Sequence, residues 1–306
     1  MSRLRIHHET IYCYRKPVSF GPHRLILRPR EGHDIRVEEM TLQIEPDFDL
    51  DWSRDVFGNS VATIHLLQAA KELRIQNDVV LRQTAPFPLS NDRPGKPSAF
   101  PLEYSPFERA IAAAYQASVF PGDIPDVKEW VAAQIEVSHG ETAESVVAAL
   151  NRRVRESVAY ARRETKGVQT PAETLRKKSG SCRDMATLLL EALRTLGFPA
   201  RFASGYLHCL ASEAGHASTH AWAEVYLPET GWAGYDATTG EPTSANHVVT
   251  GVSNHPRGVM PITGSFFGDS KNYVEMKVRV QTERMDDEVV SRQPQTEERR
   301  DFGSPP

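Results

Sequence analysis

The chain has 306 residues, long enough for two hydrophobic cores, and its 40% hydrophobic and 25% charged content is ordinary for a soluble globular protein. A formal net charge of −4 with no long basic run disfavours nucleic acid as a principal partner. Cys13, Cys182 and Cys209 form an odd, sparse set that suits a reducing compartment better than a disulfide framework. The first residues lack the apolar core of a signal peptide and no stretch is apolar enough to span a bilayer, so a cytoplasmic location without membrane partners is expected.

Residues 3–14, 23–28, 37–45, 60–67 and 71–82 read as strands, separated by breaks such as Phe20-Gly21-Pro22, Pro46-Asp47 and Phe57-Gly58-Asn59-Ser60. This predicts an antiparallel β-sandwich over residues 1–85. A Pro-rich run over 86–104 is the expected linker. Helical signals then take over. Ser105-Pro106-Phe107-Glu108 is a capping box, Asp126 opens a helix through Trp130, Val131 and Ile135, and Thr142 opens a longer one through Val147, Leu150, Val154 and Val158. Thr170-Pro171-Ala172-Glu173 opens a short helix. Strands are expected at 200–208, 219–227, 231–237 and 272–281. Helices followed by an antiparallel sheet make residues 105–283 an α+β domain. The polar residues 284–306 read as a disordered tail.

Chemistry concentrates late in the chain. After Cys182, the residues Met185, Leu188, Leu189, Ala192, Leu193 and Leu196 form one helical stripe, ended by Gly197 and Pro199. Ser181 as N-cap and Asp184 three residues on place Cys182 in the first turn. Unpaired N–H groups there favour thiolate over thiol. From His220 the chain alternates, with His220, Trp222, Glu224 and Tyr226 on one face. The turn Leu227-Pro228-Glu229-Thr230-Gly231 leads to a partner strand that sets Asp236 beside His220. A thiol nucleophile, a base and an orienting carboxylate are thereby supplied in the order Cys182, His220, Asp236.

Four blocks carry a family resemblance: Gly-Ser-Cys-Arg-Asp-Met-Ala from Gly180, Leu-Gly-Phe-Pro-Ala-Arg-Phe-Ala-Ser-Gly-Tyr-Leu over 196–207, Thr-His-Ala-Trp-Ala-Glu-Val-Tyr from Thr219, and Gly-Tyr-Asp-Ala-Thr from Gly234. They resemble the transglutaminase-like superfamily of papain-related enzymes. Residues 169–175 look like its bacterial branch, and Asp55-Val56-Phe57-Gly58-Asn59 fits the β-rich domain that precedes the core in many bacterial members. The resemblance covers most of residues 1 to about 280. It implies a papain-like α+β catalytic domain with Cys182 as nucleophile, His220 as base and Asp236 as orienter.

The expected chemistry is acyl transfer through a thioester on peptide, isopeptide or side-chain amide bonds of a peptide or protein substrate, by hydrolysis rather than cross-linking. A transglutaminase with an amine acceptor, a side-chain deamidase or glycanase-like amidase, and a non-catalytic scaffold are the alternatives. Gln169 is a candidate oxyanion donor beside the backbone N–H of Cys182, and Trp222 a candidate wall of the site. Glu224 could replace Asp236 but lies on the same strand as His220. No cofactor is expected: His208, Cys209, His216 and His220 match no paired zinc spacing, and no acidic loop asks for calcium. Gly58-Asn59 reads as hairpin chemistry. Oligomeric state is not legible.

Overall fold

The computed structural model of the chain describes residues 2–84, 98–136, 141–163, 167–208 and 218–285. Most of the Pro-rich 86–104 run, Cys209, His216 and most of the expected tail lie outside them. The N-terminal half holds β1 (Ser2–Phe20), β2 (His23–Leu25), β3 (Ile35–Glu45), β4 (Phe48–Arg54), β5 (Ser60–Leu66) and β6 (Ala70–Gln83). Then come α1 (Arg109–Gln116), α2 (Ile124–Gln134), α3 (Ala143–Ser157), β7 (Ala159–Tyr160), α4 (Pro171–Lys177), β8 (Ser179–Gly180) and α5 (Cys182–Thr195). The chain continues with β9 (Ala200–Leu207), β10 (Ser218–Leu227), β11 (Gly231–Asp236), β12 (Glu241–Pro242) and β13 (His247–Ser253). It closes with β14 (Ile262–Thr263), β15 (Phe266–Phe267) and β16 (Tyr273–Met285).

Alternation builds the first unit. Leu4, Ile6, His8 and Thr10 of β1 are buried while their neighbours are more exposed. One antiparallel sheet runs β3-β6-β1-β16, with β15 on the far end of β1. A second runs β14-β2-β5-β4. Tyr14, Phe20, Leu25, Ile44, Ile64, Leu73 and Ile75 fill the space between them, the sandwich expected. Phe48–Arg54, to which the sequence reading assigns no strand, is an edge strand with Leu50 and Trp52 exposed.

The second unit packs helices on a sheet ordered β12-β11-β10-β9-β13. Ala221, Ala223, Val225 and Leu227 face Met185, Leu188, Leu189, Ala192 and Leu193 of α5 in one core. Thr142 caps α3 by accepting from Ser145 N, and Thr170 caps α4 by accepting from Glu173 N, as their positions predict. The Ser105–Glu108 hydrogen bonds also form, but the helix itself starts at Arg109.

One expectation is corrected. The strand foreseen at 272–281 exists but does not join the sheet of the second unit. As β16 it runs along β1 from Arg3↔Met285 to Tyr14↔Tyr273. The chain thus returns to its first sheet, because the outer edge of β1 needs a partner that the N-terminal half does not supply.

The two units also share apolar contacts. Ile26 and Val61 sit in the α5 core, and Leu4, Ile6, Val79 and Leu81 pack on Tyr206 and Val248. The Asp55–Asn59 turn does more than reverse the chain. Asp55 Oδ1 accepts from the backbone N–H of Phe57 and of Asn59, and Gly58 holds φ +74°. Buried Asn59 then donates to Val252 O and accepts from Val252 N, clipping the turn to β13.

Candidate active site

The cysteine sits where its cap puts it. Ser181 N and Ser181 Oγ both donate to Asp184 Oδ2 at 2.8 Å, and α5 begins at Cys182. Asp184 is fully buried and also accepts from Gln169 N at 2.8 Å and Arg163 Nε at 2.7 Å. A Cβ on Gly180 would lie 2.8 Å from Asp184 Cβ and 3.2 Å from Gln169 Nε2, so only glycine fits under the cysteine turn. Cys182 is half-buried, and its backbone N–H is one of the orphan donors at the helix start.

His220 and Asp236 come from neighbouring strands of one sheet. Ala223 pairs with Tyr235 across β10 and β11, which brings His220 and Asp236 to the same face as diagonal neighbours. His220 Nε2 lies 2.7 Å from Asp236 Oδ2, and the Cys182 side chain is the ring's other hydrogen-bonding partner. The structure therefore brings together all three residues singled out as a triad. Burial opposes charge on His220, but the hydrogen bonds and charges of Asp236 and Cys182 outweigh it and lift the imidazole to about 10. Burial likewise works against the Asp236 carboxylate, yet hydrogen bonds from two imidazoles and Thr238 hold it far below the usual carboxylate range.

The second imidazole is His247, which sequence reasoning missed. Its Nε2 lies 3.2 Å from Asp236 Oδ2, while its Nδ1 accepts from Ser244 N at 3.1 Å. That acceptor role puts the His247 proton on Nε2, aimed at the carboxylate. Asp236 Oδ1 is in turn filled by Thr238 N and Thr238 Oγ1. His247 lies on β13, two strands from His220, and its strand packs closely on Gly205: a Cβ there would lie 1.9 Å from Val248 O. The atoms of His220, Asp236 and His247 that could ligate a metal all lie within 4.8 Å of one another. With Nε2 of His247 protonated, however, the cluster is a carboxylate shared between hydrogen-bond donors rather than a ready ligand set. Of the residues weighed for zinc, His208 is held by Thr282 Oγ1 at 2.7 Å, and Cys209 and His216 lie outside the described residues.

The remaining candidates fall elsewhere. Gln169 is buried behind the cysteine turn and donates through Nε2 to Ser179 O at 2.9 Å, so it props the Ser179–Gly180 backbone. Trp222 is buried behind the imidazoles, stacked near His220 at 6.3 Å between centroids and edge-on to His247 at 5.2 Å. It lines a separate cavity of about 200 Å³ with His247 and Trp232, not the cleft that holds the thiol. Glu224 is paired with Arg201 at 2.7 Å and does not approach His220 as an orienter.

That cleft, about 770 Å³, lies between the two units. Cys182, Arg183, Thr219, His220 and Tyr160 form one side. His8, Thr10 and Tyr12 of β1 and Met276, Val278 and Val280 of β16 form the other, the register pairing His8↔Val280, Thr10↔Val278 and Tyr12↔Met276. His8 stays neutral near pH 7: burial, with the neighbouring His7 charge, lowers it to about 4, and its ring nitrogens bond Tyr206 Oη and Thr10 Oγ1.

Two family models match this chain: the bacterial transglutaminase-like N-terminal region over residues 4–82, and the transglutaminase-like superfamily over residues 130–237. The chain belongs to the transglutaminase-like superfamily. Cys182, His220 and Asp236 all lie within the transglutaminase-like core match. An uncharacterized protein of Mycobacterium tuberculosis is 27% identical over 283 residues, 89% of this chain and 90% of the relative. One of Mycobacterium leprae is 25% identical over 288 residues, 92% of this chain and 99% of the relative. A solved structure of a proposed cysteine protease from Cytophaga hutchinsonii shares the fold, with TM-score 0.70 and 18% identity over 93% of this chain and 92% of that one. Residues 130–237 thus form a transglutaminase-like core on the fold of that structure.

Proposed function

We propose that the protein cleaves amide bonds in peptides or proteins by cysteine-dependent acyl transfer. The observation that carries this reading is His220, held between the Asp236 carboxylate and the Cys182 sulfur. His220 takes the Cys182 proton, which gives a thiolate beside an imidazolium. The thiolate attacks the amide carbonyl, and the backbone N–H of Cys182 is placed to bind the oxyanion. His220 gives its proton to the departing amine as the C–N bond breaks, leaving a thioester on Cys182. A water that loses its proton to His220 then attacks the thioester, releasing the acid and restoring the thiol. Tyr160, Arg162 and Arg279 at the cleft are exposed, so water is not shut out from the thioester, which supports hydrolysis over transfer to an amine.

The test is a thiol-directed activity probe followed by peptide libraries with and without a primary amine. The folded protein should be labelled on Cys182 faster than on Cys13 or Cys209. Cys182→Ala should abolish turnover with its thermal midpoint nearly unchanged. Retained turnover in Cys182→Ala would sink the assignment, and amine incorporation exceeding free-acid release would convert it to a transglutaminase.

A further inference from the structure

We infer that the cleft selects acidic peptide segments; this rests on the peptide-cleaving reading above and names its substrate class. Four arginines line the cleft, Arg162, Arg163, Arg183 and Arg279, and no aspartate or glutamate does among the described lining residues. The chain as a whole carries −4, so this cationic surface is local. Asp184, in the cysteine's own turn, and Asp236, on its imidazole, are buried and already matched. Asp184 is held by Arg163 Nε at 2.7 Å and Nη2 at 3.1 Å, and Asp236 is held by the two imidazoles.

Arg163 is therefore committed, but the other three arginines keep their charge available to a ligand. Arg183 has a weak contact from Nη1 to Met260 Sδ at 3.9 Å. Arg279 stands opposite Glu9 in the β1–β16 register, yet Glu9 Oε1 is taken by Arg74 Nη1 at 2.5 Å and Gln76 Nε2 at 2.8 Å. Arg162 is exposed and forms no ion pair among the described residues.

Their placement brackets the nucleophile. Arg183 follows Cys182 directly. Arg162 lies two residues past Tyr160, whose strand pairs with Gly180. Arg279 belongs to β16, on the sandwich side of the cleft. Met260, Ile262, Met276 and Val278 line the same cleft. An extended chain alternates its side chains, so a segment alternating acidic and apolar residues sets carboxylates on the guanidinium groups and apolar groups on the apolar wall. A carboxylate gains bidentate, charge-assisted hydrogen bonds there, whereas a lysine-rich chain meets like charge.

The test separates binding from turnover. Full-length Cys182→Ala is titrated, by fluorescence anisotropy, with a rhodamine-labelled hexapeptide alternating Glu and Leu and with its Gln-for-Glu counterpart. The Glu peptide should bind at least about tenfold more tightly at low salt, with the gap narrowing as ionic strength rises. Adding Arg162→Gln or Arg279→Gln should each shrink that gap about threefold or more. The thermal midpoint of both variants should stay close to wild type, so that a lost preference reports the charge and not the fold. Equal affinity for the two peptides, or tighter binding of a Lys-for-Glu peptide or of a short single-stranded oligonucleotide, overturns the inference. Absence of turnover in the wild-type protein, with the Glu preference intact, sinks the peptidase reading and leaves the ligand class standing.

Discussion

Asp236 is the most heavily engaged side chain of the site, taking His220 and His247 on Oδ2 and Thr238 on Oδ1. Its folded state favours the carboxylate, so the stability it contributes is present above its ordinary value of 3.8 and is lost as pH falls toward its depressed folded value. His220 behaves in the opposite sense. Its folded value of about 10 exceeds the unfolded 6.5, so its contribution is complete below 6.5 and disappears as pH rises through 10. The thermal midpoint of wild type should therefore lose ground against that of His220→Ala between pH 6.5 and 10. A difference that stays constant across that window contradicts the assignment of the imidazolium. His247→Ala removes one donor from Asp236 and leaves Ser244 N without its acceptor, at a cost of about 1–2 kcal/mol. With His220 and Cys182 untouched, kcat/KM should fall by about three- to tenfold, through a less firmly held carboxylate. Chemical denaturation and steady-state kinetics on this variant check both numbers, and full activity would reduce His247 to a packing residue.

At the scale of elements, the cysteine turn is held by Asp184, which satisfies Ser181, Gln169 and Arg163 at once from a fully buried position. Asp184→Ala removes the carboxylate from the buried side of Arg163 and leaves the backbone N–H groups of Ser181 and Gln169 unmatched, and should cost about 3 kcal/mol in denaturant unfolding. Because α5 then starts without its cap, Cys182 labelling should slow in the folded variant. Unchanged stability would mean that water replaces the carboxylate freely. Ser181, Asp184 and the stripe from Met185 to Leu196 are legible in the sequence because a capped amphipathic helix is encoded within sixteen neighbouring residues. The β10–β11 hairpin is legible for the same reason, and it carries His220 and Asp236. His247 is not. Its strand, His-Val-Val-Thr-Gly-Val-Ser, has no clean alternation, contains a bulge, and pairs with β9 some forty residues earlier. One local signal was available: a histidine three residues after Ser244, whose N–H it accepts, but this pattern is common in turns.

For the molecule as a whole, the cleft exists only where the two units meet, and its far wall is β1 and β16. The pairing of β16 with β1 spans almost the entire described chain, and no local period encodes which edge a strand will join. The same long-range return makes a fragment of residues 100–285 an unstable object. Cutting away β1–β6 removes Ile26 and Val61 from the α5 core and strips Leu4, Ile6, Val79 and Leu81 from Tyr206, Val248 and Val280. Re-exposing those last three side chains alone costs about 5–9 kcal/mol at about 1.5–3 kcal/mol each. That is comparable to the whole stability of a typical domain, about 5–15 kcal/mol. Val252 also loses both hydrogen bonds to Asn59, and β16 is left with an unpaired edge. The fragment should therefore elute as aggregate in size-exclusion chromatography, bind a dye for exposed apolar surface, and lose preferential labelling of Cys182. A soluble monomer that is labelled at the full-length rate would show that the sandwich is dispensable to the fold of the site. Full-length Val278→Arg then serves as the finer probe. It adds a cation to the sandwich wall at a half-exposed position without touching the triad, so it should change KM for peptides while leaving the Cys182 alkylation rate and the thermal midpoint close to wild type.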